Sequence, residues 1–194
     1  MLSGGSSQMS ALPKPSTLDE FIAWEERQEL RYEYDGLDIQ ALTGGTVARG
    51  RIQANLVAAL HARLRGGPRF VMGSEVKVRT ATSVRYPDAM VVCARADGKA
   101  TWTSEPVVLF EILSPSTARK DLGAKNAEYQ TLSSLRRYVV PHQNVAAAEV
   151  FFRDEEGEWG HEFVGAGALL RMPEIGAEIA LAACYEGIDL APAS

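Results

Sequence analysis

The chain has 194 residues, 46% of them apolar and 23% charged. That balance is typical of soluble globular domains and excludes collagen-like, low-complexity and wholly disordered readings. The formal net charge of −5, from 25 acidic and 20 basic side chains, argues against a protein that coats nucleic acid non-specifically. It does not argue against an enzyme that touches nucleic acid at one local site.

Residues 1–16 are rich in Ser, Gly and Pro and are expected to form a flexible lead-in to one domain over 17–194. Thr17 followed by Glu20 has the form of a capping box, opening a helix from Leu18 to about Gln28. Arg31 to Thr43 is expected to form two short strands turning at Asp35-Gly36. Ile52, Leu56, Leu60 and Leu64 recur every four residues and predict a long helix over Val47 to Arg65, stopped by Gly66-Gly67-Pro68. Strands are predicted at Arg69–Met72, Glu75–Arg79, Pro87–Cys93 and Pro106–Leu113. A turn separates the last two at Asp97-Gly98-Lys99. Ser114-Pro115-Ser116-Thr117 then caps a helix from Ala118 to about Leu132, and Arg136–Val140 is one more strand. Short strands at Glu149–Arg153, Glu158–Val164 and Leu169–Met172 follow. Asp154-Glu155-Glu156-Gly157 suits a solvated hairpin turn better than a calcium loop, because EF-hand ligand spacing is missing. The order helix, three strands, helix, strand, with added β hairpins, makes this an α/β (α+β) protein. The added hairpins carry edges that a homodimer would cover.

Cys93 and Cys184 both stand among apolar residues and form no C-x-x-C pair, so buried free thiols are expected. No run approaches 18 apolar residues, and no basic-then-apolar segment opens the chain. A cytoplasmic location is therefore expected. His61, His142 and His161 lack metal-ligand spacing and suit surface or core roles. Ser114 and Ser116 lack the nucleophile elbow of serine hydrolases, and no phosphate-binding loop or dinucleotide fingerprint is present. The basic concentration Arg49, Arg51, Arg63, Arg65 and Arg69 suits either a solvated helix end or contacts to a phosphate backbone.

Three charges lie where charges are costly. Glu111 stands in Val107-Val108-Leu109-Phe110-Glu111-Ile112-Leu113, a run apolar on both faces, as in a central strand covered on both sides. Asp88 opens the apolar strand Ala89-Met90-Val91-Val92-Cys93. Lys125 shares a helical arc with Ala118, Leu122, Tyr129 and Leu132, whereas lysine usually faces solvent. Singly, each has a structural explanation: a satisfied buried acid, a turn cap, a snorkelling lysine. Together, two carboxylates on neighbouring strands and a lysine on the next helix form an inventory for metal-assisted phosphodiester hydrolysis. Carboxylate oxygens suit Mg²⁺, with Mn²⁺ as an alternative, and a lysine orients water or stabilises developing negative charge.

These residues carry a resemblance. Tyr86-Pro87-Asp88-Ala89-Met90-Val91-Val92, with Glu111 at a spacing of 23 residues, resembles the PD-(D/E)XK nuclease fold. Phe110-Glu111-Ile112-Leu113-Ser114-Pro115-Ser116-Thr117, Asp121-Leu122-Gly123-Ala124-Lys125 and Tyr129 narrow it to the Uma-two family of restriction-endonuclease-like bacterial proteins, over residues 17–185. The resemblance implies a restriction-endonuclease-like core and a metal-dependent endonuclease acting on DNA. Asp88 and Glu111 would be metal ligands, Lys125 would assist the nucleophilic water, and Glu33 would be a third acid that orients the site. Four positions depart from the pattern. Leu113 stands where the usual lysine follows the acid, the lysine having moved to Lys125. Arg31-Tyr32-Glu33-Tyr34-Asp35-Gly36 is one residue shorter than the family's early segment. Arg49 stands where the family often has His, and Val140-Pro141-His142 replaces a Val-Asp ending. A catalytically inactive nucleic-acid-binding or assembly protein on the same fold is the alternative. A third reading is a structural Glu111–Lys125 pair with no further role.

Overall fold

The computed structural model describes residues 15–93, 97–114, 118 and 120–190. Most of the expected lead-in and the Pro115-Ser116-Thr117 cap lie outside the described residues. Thr17 caps α1 (Leu18–Glu25) by accepting from Glu20 N at 3.1 Å. The other half of the expected box differs, since the Glu20 carboxylate reaches back to Ser16 N at 2.8 Å rather than to Thr17. β1 (Tyr32–Tyr34) and β2 (Ile39–Ala41) form the expected hairpin. Asp35 Oδ1 accepts from Leu37 N and Asp38 N, and Gly36 takes φ +94°, a left-handed conformation that only glycine adopts cheaply.

α2 (Val47–Leu64) buries Ile52, Leu56, Leu60 and Leu64, the four-residue stripe read from the sequence. After it come β3 (Arg69–Gly73), β4 (Lys77–Arg79), β5 (Val84–Arg85), β6 (Ala89–Cys93), β7 (Trp102–Thr103) and β8 (Val108–Phe110). A π-helical turn at Lys120–Lys125 leads into α3 (Asn126–Gln130). β9 (Arg137–Pro141), β10 (Ala147–Arg153), β11 (Trp159–Gly165), β12 (Leu169–Met172) and β13 (Ala177–Ala180) complete the strands. The β10–β11 turn is the expected hairpin, with Asp154 Oδ1 accepting from Glu158 N at 2.8 Å.

The main sheet runs β11-β10-β9-β8-β6-β3, with only the β8–β9 pair parallel. A second sheet runs β2-β1-β5-β4-β7, and β12-β13 form a third. The strand expected at Glu75–Arg79 therefore leaves the main sheet. Alternation along β6 and β8 sorts the main core. Ala89, Val91, Val108 and Phe110 pack with the α2 stripe on one face. Met90, Val92, Leu109, Tyr129 and Tyr138 pack on the other. A sheet covered on both faces explains strands that read as continuous apolar runs.

Two expectations need correction. Cys93 is exposed, because it ends β6 at the sheet margin; only Cys184 is buried, and burial pushes its thiol up to about 11. The helix expected over Ala118–Leu132 is not one regular α-helix, because its first part is π-helical. Among the described residues no helix is long and apolar enough to cross a membrane.

Candidate active site

The antiparallel register of β6 and β8 pairs Ala89 with Phe110. One step further places Asp88 opposite Glu111. Both lie just beyond their strands at the same end of the sheet, where side chains are held by the ladder but project past it. The β8–β9 ladder continues through this point, with Glu111 N donating to Val139 O and Leu113 N to Pro141 O. Leu113, at the position of the usual lysine, is buried in the apolar cluster on the α3 side. Asp88 is 5% exposed, Glu111 1%, Glu33 4% and Lys125 6%.

Lys125 reaches this pair from the end of the π-helical turn. Its Nζ donates to Glu111 Oε1 at 2.8 Å and to Glu33 Oε1 at 3.2 Å, and lies 3.7 Å from Asp121 Oδ1. Tyr129, four residues on, donates its hydroxyl to the same Glu111 oxygen at 2.9 Å. Asp121, Lys125 and Tyr129 stand four apart and share one helical side. The wider π turn alters the phase of what precedes it. Lys120, just before Asp121, lies 3.5 Å from Glu33 Oε2.

Glu33 comes from the second sheet. It sits mid-way along β1, next to Tyr34, which pairs with Val84 of β5. Tyr86 N donates to Glu33 Oε1 at 3.1 Å, and Arg85 Nη1 to Oε2 at 3.3 Å. Arg85 also grips Glu128 through Nε at 2.8 Å and Nη2 at 2.7 Å. The structure thus brings all four sequence-predicted residues, Asp88, Glu111, Lys125 and Glu33, into one connected network.

Sequence reasoning missed the role of Arg49. Its Nε donates to Asp88 Oδ1 at 2.9 Å and its Nη2 to Asp88 Oδ2 at 2.7 Å, and Nη2 is 3.9 Å from Glu111 Oε2. Asp88 Oδ2 also accepts from Ile112 N at 2.7 Å. Gln53, one turn after Arg49 on α2, donates to Asp88 O at 2.7 Å. The basic concentration does not act as a unit: Arg49 turns to Asp88, Arg51 donates to Gly187 O, and Arg63 and Arg65 are exposed. A cavity of about 480 Å³ opens beside Asp88 and Arg49, lined also by Arg31, Gly45, Gln53 and Tyr86.

Electrostatics set the protonation states. Burial raises Glu111 to about 8; Lys125 opposes this, but Asp88, Glu33 and Asp121 reinforce it. Burial also raises Asp88, against the pull of Arg49 and the Ile112 N–H. For Glu33, burial is outweighed by Lys125, Arg85 and the Tyr86 N–H, which hold its carboxyl below the ordinary range. Burial works against the charge on Lys125, yet Glu111, Glu33 and Asp121 together raise its pKa, so it stays an ammonium.

The histidines stay outside this site. His142 and His161 both meet Glu149, at 3.5 Å and 2.7 Å.

Comparison with known proteins matches this architecture. A family model described as "Uma2: Putative restriction endonuclease" matches residues 18–183. The chain belongs to the Uma2 family. Two Synechocystis proteins, both described as uncharacterized, are similar over much of their length. The protein slr1290 is 29% identical over 94% of this chain and 97% of its own. The protein sll1609 is 25% identical over 77% and 87%. A crystal structure from Anabaena variabilis, described as a "putative nuclease belonging to DUF820", superposes with a TM-score of 0.73. It covers 88% of this chain and 98% of its own, at 16% identity, a likeness that concerns the fold. The mixed α+β, restriction-endonuclease-like class expected from the sequence is the class found.

Proposed function

We propose that this Uma2 protein is a metal-dependent endonuclease that hydrolyses phosphodiester bonds in DNA. The observation that carries the reading is the pairing of Asp88 and Glu111 across the β6–β8 ladder with Lys125 bonded to Glu111. A buried carboxylate pair has no packing advantage over apolar side chains of similar size. Its position beside a cavity suits chemistry instead.

Asp88 and Glu111 would hold a divalent cation. Their oxygens are the hard donors that Mg²⁺ or Mn²⁺ takes. Among the described residues no group of three or more His, Cys, Asp or Glu side chains is arranged to hold a metal. A carboxylate pair is nevertheless a fitting donor set for Mg²⁺, which usually keeps several waters. When bound, such an ion polarises the phosphoryl group and lowers the pKa of water.

The remaining roles follow from the chain. Lys125 stays protonated, so it serves as a fixed positive charge beside the reacting phosphate and not as a proton acceptor. Glu33 and Tyr129 position it and its partner: Glu33 holds the ammonium, and the Tyr129 hydroxyl fixes Glu111 Oε1. The cavity with Arg31 and Arg49 would receive the nucleic-acid backbone.

Incubation of plasmid DNA with Mg²⁺ or Mn²⁺ tests this. Cleavage by the wild type should vanish with a chelator and in Asp88→Ala and Glu111→Ala. Equal residual cleavage in all samples would reject the catalytic assignment.

A second reading, a non-catalytic nucleic-acid-binding or assembly protein, is favoured by one observation: Arg49 already bonds both oxygens of Asp88. DNA retention in a gel-shift assay with no cleavage under any divalent ion would select it.

A further inference from the structure

We propose that Arg49 is a resident cation of the Asp88–Glu111 pair, and that a divalent metal binds there only by displacing it. This rests on the metal-dependent reading above for the identity of the incoming ion; the rest stands on the geometry of Arg49.

A single nitrogen, Nη2, bonds Asp88 Oδ2 at 2.7 Å and lies 3.9 Å from Glu111 Oε2. It reaches both carboxylates, the donors that would hold a divalent ion. With Nε on Oδ1, the guanidinium fork engages both oxygens of Asp88, a directional and charge-assisted arrangement. A metal would compete for those same oxygens.

The local backbone favours this pose. A Cβ added at Gly45 would meet Arg49 Cδ at 2.9 Å and Cγ at 3.6 Å. The missing side chain at Gly45 therefore leaves the lane along which the Arg49 stem runs to Asp88. Arg49 also sits in the first turn of α2, behind the Thr46 cap. The helix dipole disfavours a cation there, so the carboxylates and not the helix hold it in place.

Charge balance points the same way. Ion pairs link five acids, Asp88, Glu111, Glu33, Asp121 and Glu128, to four bases, Arg49, Lys125, Arg85 and Lys120. With Glu111 ionised, the state in which it would hold a metal ion, the cluster carries one negative charge. Without Arg49 it carries two, the charge that one divalent cation neutralises. An exit exists as well. The Arg49 side chain is 26% exposed, unlike those of Lys125 and Arg85, and it lines the cavity with Asp88. It can swing out without opening the core.

Calorimetric titration of the full chain with MnCl₂ at fixed pH and salt tests the idea. Arg49→Gln should bind Mn²⁺ at least about tenfold more tightly than wild type, which is about 1.4 kcal/mol. Adding Asp88→Asn to that variant should abolish the binding. Gly45→Ala keeps every charge but obstructs the stem, and it should fall between the two; it decides the matter should Arg49→Gln fail to fold. Equal affinity in wild type, Arg49→Gln and Gly45→Ala, or weaker binding in the variants, would overturn the displacement while leaving a metal-binding nuclease intact. Binding that survives Asp88→Asn would overturn it by placing the ion elsewhere. No Mn²⁺ binding by a folded Arg49→Gln variant at millimolar ion would overturn both this proposal and the metal-dependent reading.

Discussion

Two buried clusters of paired charges flank the Tyr86-Pro87-Asp88 segment. In the first, Lys77 Nζ bonds Glu25 Oε2 at 2.9 Å, both side chains being 4% exposed. The Tyr86 hydroxyl and Tyr32 N donate to the other Glu25 oxygen. Here one buried acid matches one buried base, the further acid at 3.9 Å, Glu26, being open to solvent, and the pair is closed by its own hydrogen bonds. In the second, around Lys125, carboxylates outnumber cations and one cation is partly open to a cavity. A matched pair ties α1 to the second sheet. An unmatched and accessible one has capacity left for a ligand. Burial is common to both, so burial alone does not mark a functional charge.

Breaking the matched pair should produce the largest effect. Lys77→Met leaves Glu25 buried without its cation and should cost about 3–5 kcal/mol in urea unfolding. Lys77→Met with Glu25→Leu should recover most of that loss, since removing both partners strands neither charge. A second cluster that proved equally costly and equally rescued would erase the contrast.

Lys125→Met should lower the cleavage rate by about 10²–10³-fold, the effect of losing one charge aimed at the transition state, equivalent to about 2.7–4 kcal/mol. Single-turnover rates on plasmid DNA would measure it.

The third expectation concerns pH in metal-free protein. Glu111 is raised from an ordinary value of 4.5 to about 8 in the fold. Folding therefore favours its protonated form. Its contribution to stability is fully present below pH 4.5 and is lost as pH rises through about 8. The slope is limited to about 1.4 kcal/mol per pH unit for one proton. Glu111→Gln should flatten the difference between melts at pH 6 and pH 8, while variants of the matched cluster should not.

The smallest effect should come from Thr46→Ala. Removing the α2 cap should cost about 1 kcal/mol in thermal or urea unfolding, with a modest change in Mn²⁺ affinity through the position of Arg49.

Legibility differed by type of feature. The α2 stripe, the apolar β6 and β8 strands and the Asp35-Gly36 turn were readable because each depends on residues a few positions apart. Asp88, Glu111 and Lys125 were readable because a charge inside an apolar pattern is an anomaly of that same local kind. Tyr129 and Asp121 carried a weaker signal, their spacing of four from Lys125. Glu33 came only through resemblance, as its strand gives no sign of facing a site. The split of β4 and β5 into a second sheet had no local mark, since a short strand does not specify its partners. The π-helical phase was likewise invisible to a wheel drawn at 100° per residue.

By itself, then, the sequence determined the order of the helices and of most strands, without β5, β7 and β13, and it singled out Asp88, Glu111 and the inward Lys125; that β8 stops at Phe110 and leaves Glu111 at its end came from the structure. Hydrophobic periodicity and the cost of buried charge act over a few residues and are written into any short window. Only the tertiary structure decided which charges meet. Arg49 and Asp88 are 39 residues apart, and Lys125 and Glu33 are 92 apart. Their encounters depend on how α2, the π-helical turn and the two sheets pack. Charge pairing in a buried site is a property of that packing, which local pattern does not encode.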